Sequence, residues 1–171
     1  MLRKGFILAA ILFHTLFVYA QSGALQTFTL DRPYPVERLQ PPKGKKVRNV
    51  ILMIGDGMSL MHIQAAWTVN HGHLWLENAQ ATGLSMTPAT NRLITDSGSG
   101  GTSLATGYKT AYHAVGVDPA GKPLKSLVDY AKEAGKSAGI AVTCRLWDAT
   151  PCDFISHNLD RDKEQDLVAE M

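Results

Sequence analysis

One short stretch, "ITDSGSGGTSLATG" at residues 94–107, sets an acid, Asp96, directly before a hydroxyl, Ser97, and surrounds the pair with glycine, serine and threonine. The residues that follow are helix-compatible, so the glycines cluster at an expected helix start instead of running on as a flexible linker. Small residues at that place let a tetrahedral anion approach backbone N–H groups at the positive end of a helix. Ser97 has no neighbouring base. A serine hydroxyl is a weak nucleophile until a histidine, a lowered pKa or a metal activates it, and Asp96 is no strong general base. Metal coordination is the route left open, because a bound cation stabilises an alkoxide directly.

Three further groups have matching chemistry. Asp56 stands between Gly55 and Gly57, where the backbone can turn sharply; it reads either as a carboxylate offered to an ion or as a turn residue capping a helix. In "WDATP", Asp148 and Thr150 are two apart, on one side of an extended chain, and supply the hard oxygen donors that magnesium takes. The same residues also read as a helix start, with Thr150 as N-cap and Pro151 in the first position. Arg161, in "NLDRDKE", can grip two phosphate oxygens through paired hydrogen bonds or pair with its flanking acids.

Rival phosphate motifs fail. "GDGMSL" has Leu60 where a dinucleotide fold needs its third glycine, and its acid would repel a pyrophosphate. Gly101 to Gly107 is too wide for a P-loop, and Tyr108 separates that glycine from Lys109. His71 and His73 in "HGH" read as solvated loop histidines with no third ligand beside them.

The elements that must position these residues alternate. "NVILMIGDG" carries an apolar run from Val50 to Ile54 that fits a strand buried on both faces, and a helix is expected from about Ser59 to Val69. "RLIT" precedes Asp96 as another strand end. Leu124, Leu127, Val128 and Ala131 give helical spacing up to Gly135, and "SAGIAVT" then reads as a second buried strand. The pattern is that of an α/β fold, a mainly parallel sheet flanked by helices. In such sheets ligands bind beyond the carboxyl ends of the strands, where Asp56, Asp96, Ser97, Asp148 and Thr150 all fall.

A chain of 171 residues with 45% hydrophobic and 19% charged residues is ordinary globular composition, with one domain as the default. Residues 1–20 read as a cleaved signal peptide: Arg3 and Lys4 precede an apolar run from Phe6 to Tyr19 that is too short for a span and is broken by His14 and Thr15. Loss of Arg3 and Lys4 cancels the formal charge of +2, and nothing points to nucleic acid as a partner or to a membrane span after cleavage. Residues 21–48, with Pro33, Pro35, Pro41 and Pro42 before a basic cluster, read as an extended N-terminal arm. Cys144 and Cys152 fit no zinc motif; an exported chain permits a disulfide, and two buried free thiols are the equal alternative.

Together these segments resemble the alkaline phosphatase family, secreted bacterial members in particular. "NVILMIGDGM" is similar to its first metal-binding strand, "ITDSGSGGT" fits its nucleophile signature, and "DATP" with Arg161 thirteen residues after Asp148 has its spacing. The resemblance runs from about Asn49 to Arg161. It implies that residues 49–171 are the N-terminal part of an alkaline-phosphatase-like α/β domain, incomplete at the C-terminus, which hydrolyses phosphate monoesters with zinc and magnesium. Asp56 would bridge the magnesium site and one zinc site. Ser97, itself a metal ligand, would attack phosphorus and become phosphoserine, Asp148 and Thr150 would serve the magnesium, and Arg161 would hold the phosphate. The small residues around Ser97 would make room for phosphate and metals. The resemblance also implies a secreted or periplasmic location and a homodimer for the full-length enzyme. The family's later histidine and acid ligands find no counterpart before Met171, so an exposed sheet edge and exposed apolar surface are expected, and a non-catalytic remnant that binds phosphate or metal is the alternative to an enzyme. The Pro/Arg-containing signature of sulfatases is absent.

Overall fold

The computed structural model describes residues 28–41, 44 and 46–171. The expected leader at 1–20 lies outside the described residues, as do positions 21–27, 42, 43 and 45 of the expected arm. The described chain falls into two compact units: residues 28–41 and 44 with Ser59–Gln80, and Lys46–Met58 with Ala81–Met171.

In the first unit, α1 (Leu60–Val69) begins where the sequence places it, with Ser59 as an extended N-cap whose N–H donates to His62 Nδ1 at 3.1 Å. A 3-10 helix, Trp75–Asn78, follows. The described part of the arm has no regular structure, so its polar backbone needs partners from elsewhere. Two asparagines supply them. Asn70, which is buried, accepts from Tyr34 N at 2.8 Å and donates to Tyr34 O at 3.2 Å. Asn78 accepts from Leu39 N at 2.7 Å and donates to Glu37 O at 2.9 Å.

The second unit is built around α2 (Ser97–Thr106). Asp96 caps it by accepting from Ser99 N at 3.1 Å, and Gly107 ends it in the left-handed region with φ 80°. The face formed by Gly98, Gly101, Thr102 and Ala105 is buried and packs against the short α4 (Ala149–Cys152) and more lightly against α3 (Leu127–Glu133). Residues three and four apart share a helix face, so this spacing brings backbone close to backbone. Val115, Ala149, Cys152 and Leu167 of α5 (Glu164–Ala169) form the apolar core beside it.

Two expectations change, and the described residues do not complete the expected sheet. No strand ladder forms among the described residues; there are two isolated antiparallel bridges, Val115 with Asn158 and Val117 with Pro123. The runs read as strands have no regular structure and no ladder partner among the described residues, and Val50, Met53 and Leu93 are 84%, 89% and 91% exposed. An apolar run becomes a strand only when a neighbouring strand takes its backbone hydrogen bonds, and none of the described residues does so here. The helix expected from Leu124 starts later, because Leu124 N donates to Gly116 O at 2.8 Å and Ser126 caps α3 in reciprocal bonds with Asp129. Asp148, not Thr150, holds the N-cap position of α4, so Thr150 is already helical and its hydroxyl is free to bond elsewhere.

Candidate active site

Ser97 sits in the first turn of α2 and its Oγ accepts from Arg161 Nη1 at 2.6 Å. The same Nη1 lies 3.2 Å from Asp96 Oδ2. Backbone contacts bring these two distant segments together: Arg161 N donates to His113 O at 2.9 Å, and His113 N donates to Asp96 Oδ1 at 3.3 Å. Asp96 Oδ1 also accepts from Ser99 Oγ at 2.7 Å. Burial alone would raise the Asp96 pKa, but the hydrogen bonds from Ser99, His113 and Arg161 outweigh it and hold the carboxyl at about 2. Asp96 is therefore an anion that orients Arg161 and caps α2, and it does not serve as a base. Among the described residues no histidine or carboxylate hydrogen-bonds Ser97 Oγ.

A second pairing joins Asp56 and Thr150, which are 94 residues apart: Thr150 Oγ1 donates to Asp56 Oδ2 at 2.9 Å. Both are oxygen donors and Asp56 is exposed, a donor set suited to a hard divalent cation. Asp148 is engaged differently. Its carboxylate accepts from Arg145 N at 3.0 Å and pairs with the Arg145 guanidinium at 3.0 Å. Its slight burial opposes ionisation, yet the Arg145 contacts lower its pKa below the usual carboxylate range. The structure thus gathers Ser97, Asp96 and Arg161 into one group and Asp56 with Thr150 into another, and it holds Asp148 against Arg145.

Two features escaped the sequence reading. His113, Asp160 and Asp162 place one ligating atom each within 4.8 Å of one another, with His113 Nδ1 3.7 Å from Asp160 Oδ1. The flanking acids of Arg161 were visible in sequence, but a histidine 47 residues before Asp160 was not connected to them. The second is Asp153, which is buried against α2. His71 and His73 are separately engaged, His71 Nε2 with Leu30 O at 2.6 Å and His73 with Glu77 at 3.9 Å. Cys144 is exposed and Cys152 buried, and both are free thiols; burial pushes the Cys152 thiol up to about 11.

The glycines around Ser97 are small for the protein's own sake. A Cβ on Gly98 would lie 3.0 Å from Ala114 O, and one on Gly101 would lie 1.9 Å from Asp153 Oδ2. Both hydrogens point at neighbouring protein, whereas Gly100 meets only Thr95, at 3.5 Å. The expectation that small residues clear space for a ligand is replaced at Gly98 and Gly101 by close packing of α2.

Residues 47–171 match the model of the family described as alkaline phosphatase. Alkaline phosphatase 4 of Bacillus subtilis is 42% identical over 135 residues, which cover 72% of this chain and 29% of that protein. The alkaline phosphatase of Schizosaccharomyces pombe is 39% identical over 132 residues, covering 74% of this chain and 25% of its own length. Among solved structures, the alkaline phosphatase of the Antarctic bacterium TAB5 aligns with a TM-score of 0.51 at 34% identity over 52% of this chain and 26% of that one. A TAB5 mutant with magnesium bound gives a TM-score of 0.66 at 30% identity over 68% of this chain and 34% of that one. The chain therefore spans about a third or less of the length of these relatives. With an alkaline-phosphatase-like fold and a family match over most of its length, the chain belongs to the alkaline phosphatase family.

Proposed function

We propose that this chain carries the nucleophile half of a secreted or periplasmic phosphatase site that hydrolyses phosphate monoesters through phosphoserine at Ser97. The observation that carries the proposal is the 2.6 Å contact of Arg161 Nη1 with Ser97 Oγ at the start of α2. A guanidinium there opposes negative charge on the serine oxygen and on an incoming phosphoryl group, and the α2 N-terminus adds its partial positive charge. In the first displacement Ser97 Oγ loses its proton to solvent and bonds to phosphorus in line as the ester P–O bond breaks. The leaving oxygen departs with its electron pair and takes a proton from water. In the second, water attacks the phosphoserine, the Oγ–P bond breaks, and inorganic phosphate leaves while Ser97 regains a proton. Throughout, Arg161 offsets charge on the non-bridging oxygens, and Asp96 keeps Arg161 aimed.

Asp56, Thr150, Asp148 and Ser97 are the residues that would hold magnesium and zinc; their oxygen donors and the solved TAB5 mutants named with magnesium bound support the magnesium. Bound there, such cations would lower the energy of the serine alkoxide and of the leaving oxygen. Asp148 would have to exchange Arg145 for the ion. The reading carries with it a homodimeric full-length enzyme in which the runs at 50–54 and 137–143 would join a mainly parallel sheet flanked by helices, with a leader at 1–20, an arm at 21–48 and a catalytic domain from 49. It is supported by the apolar patterns at 50–54 and 137–143 and by the family match. The chain has no evident nucleic-acid surface in its balanced charge, and no helix among the described residues is long and apolar enough to cross a membrane.

The test is turnover of an aryl phosphate with zinc and magnesium present, wild type against Ser97→Ala. The proposal expects turnover in the first and none above background in the second. Equal turnover in both sinks the nucleophile assignment, and phosphate binding without turnover in wild type replaces the enzyme with a remnant that binds phosphate.

A further inference from the structure

We propose that Asp153 is a positioning residue for Ser97: a buried carboxyl that clamps α2 through Thr102, in a slot that only glycine at position 101 leaves open. The inference rests on the phosphatase reading of Ser97. Asp153 is 1% exposed and Thr102 is fully buried. Thr102 Oγ1 donates to Asp153 Oδ1 at 2.8 Å and accepts from Gly116 N at 2.8 Å. One hydroxyl therefore ties α4's end to α2 and α2 to the 113–116 segment. That segment holds the site: His113 N–H binds Asp96, His113 O takes the Arg161 N–H, and Ala114 O is the atom against which Gly98 packs. The connection from Asp153 to the Ser97–Arg161 contact is continuous in hydrogen bonds and backbone.

Among the described residues Asp153 Oδ2 has no hydrogen-bond partner, and it points at Gly101 Cα, one helical turn from Ser97. Any side chain at 101 would expel it. An unpaired carboxylate oxygen in that slot is far more costly than an unpaired hydroxyl, so the proton belongs on Oδ2, leaving Oδ1 to accept from Thr102. The surroundings agree. Burial chiefly, and then the negative charges of Asp96 and Asp56, push the Asp153 pKa well above its ordinary value, against the opposing Thr102 bond and Arg161 charge. The Cys152 thiol beside it is also held neutral by burial. A carboxyl whose folded pKa is raised stabilises the fold in its neutral form. That stabilisation is complete below the unfolded pKa and is lost as pH rises from there through the folded value. Ionisation of this buried carboxyl, against the charges of Asp96 and Asp56, loosens the clamp.

The experiment uses the full chain with Gly101→Ala, Asp153→Ala, the double substitution and Asp153→Asn. The infrared spectrum near neutral pH is expected to contain a protonated-carboxyl band that Asp153→Asn removes and Ser97→Ala retains. Gly101→Ala alone should lower the urea midpoint strongly, yet cost little once Asp153 is alanine, because the clash has gone; neighbouring sites that share a contact do not add. On an aryl phosphate, Asp153→Ala should lower kcat about 10-fold with KM nearly unchanged, the signature of a misplaced nucleophile. Asp153→Asn should restore kcat and flatten the fall of stability with rising pH. Additive Gly101 and Asp153 effects, a missing band, or wild-type kcat in Asp153→Ala overturns the proposal. If wild type itself shows no turnover, the phosphatase reading fails separately. The amide shifts of Ser97 and Arg161 in Asp153→Ala then decide the clamp, with unmoved shifts counting against it.

Discussion

Val50, Ile51, Leu52 and Met53 are all apolar and all exposed, whereas Gly98, Ser99, Gly101 and Thr102, which carry small or polar side chains, are all buried. The difference lies in how each stretch satisfies its backbone. α2 closes its own hydrogen bonds, takes its cap from Asp96 and its stop from Gly107, and can then be packed on one face by α4. An extended run has no internal bonds to close and depends on a neighbour for every one of them. Local signals suffice for the first kind of element and cannot complete the second.

The largest effect expected from this contrast is at Gly116. Its φ is 61°, and a Cβ there would lie 2.1 Å from Ser156 O, so Gly116→Ala combines strain with a backbone clash beside the Thr102 anchor. A loss of about 3–5 kcal/mol in urea unfolding is expected. Gly83, with nothing within 4 Å of its added Cβ, is the control, and its alanine variant should stay within about 0.5 kcal/mol of wild type. Equal losses at the two positions would erase the distinction between a packed and an open region.

Removing the guanidinium comes next. Arg161→Ala deletes both the Ser97 and Asp96 contacts and should lower kcat/KM for an aryl phosphate by about 10²- to 10³-fold. Arg161→Lys should recover only part, because an ammonium cannot present two parallel donors. Full activity in Arg161→Ala would remove the arginine from the site.

A smaller effect is electrostatic. Asp96 has a folded value of about 2 against an ordinary 3.8, so the stability it contributes is present above that ordinary value and lost as pH falls toward 2. The contribution is at most about 2 kcal/mol. Asp96→Asn should flatten the acid limb of the stability–pH curve between about pH 4 and pH 2. An unchanged acid limb would mean that the Ser99, His113 and Arg161 hydrogen bonds do not persist in solution.

The mildest test perturbs nothing. Amide exchange should be fast at 50–54, whose N–H groups have no partner among the described residues, and slow in the second half of α2, from Thr102 to Thr106. Protection at 50–54 equal to that of α2 would mean that those residues do pair in a sheet.

Much of the site was legible because its cues are local. Asp96 before a hydroxyl and small residues marks a helix start and Asp56 between glycines marks a turn, whereas the Asp148, Thr150 and Arg161 spacing does not show that Arg161 meets Ser97, Thr150 meets Asp56 and Asp148 meets Arg145. What stayed hidden depends on contacts made in three dimensions. Gly101 looks like ligand space until Asp153, 52 positions later, is seen filling it. Thr150 reads equally as cap or ligand until its hydroxyl is found on Asp56. The apolar run at 50–54 marks a strand by composition, yet pairing decides whether one forms.

The central claim is that Ser97 is the atom-bearing nucleophile. Its most direct measurement is peptide mass spectrometry of protein acid-quenched during incubation with an aryl phosphate, zinc and magnesium. The account predicts one added phosphoryl group on the peptide containing Ser97, absent in Ser97→Ala and gone once substrate is exhausted and phosphate removed. Turnover without that modification, or a phosphoryl group on another residue, would contradict it.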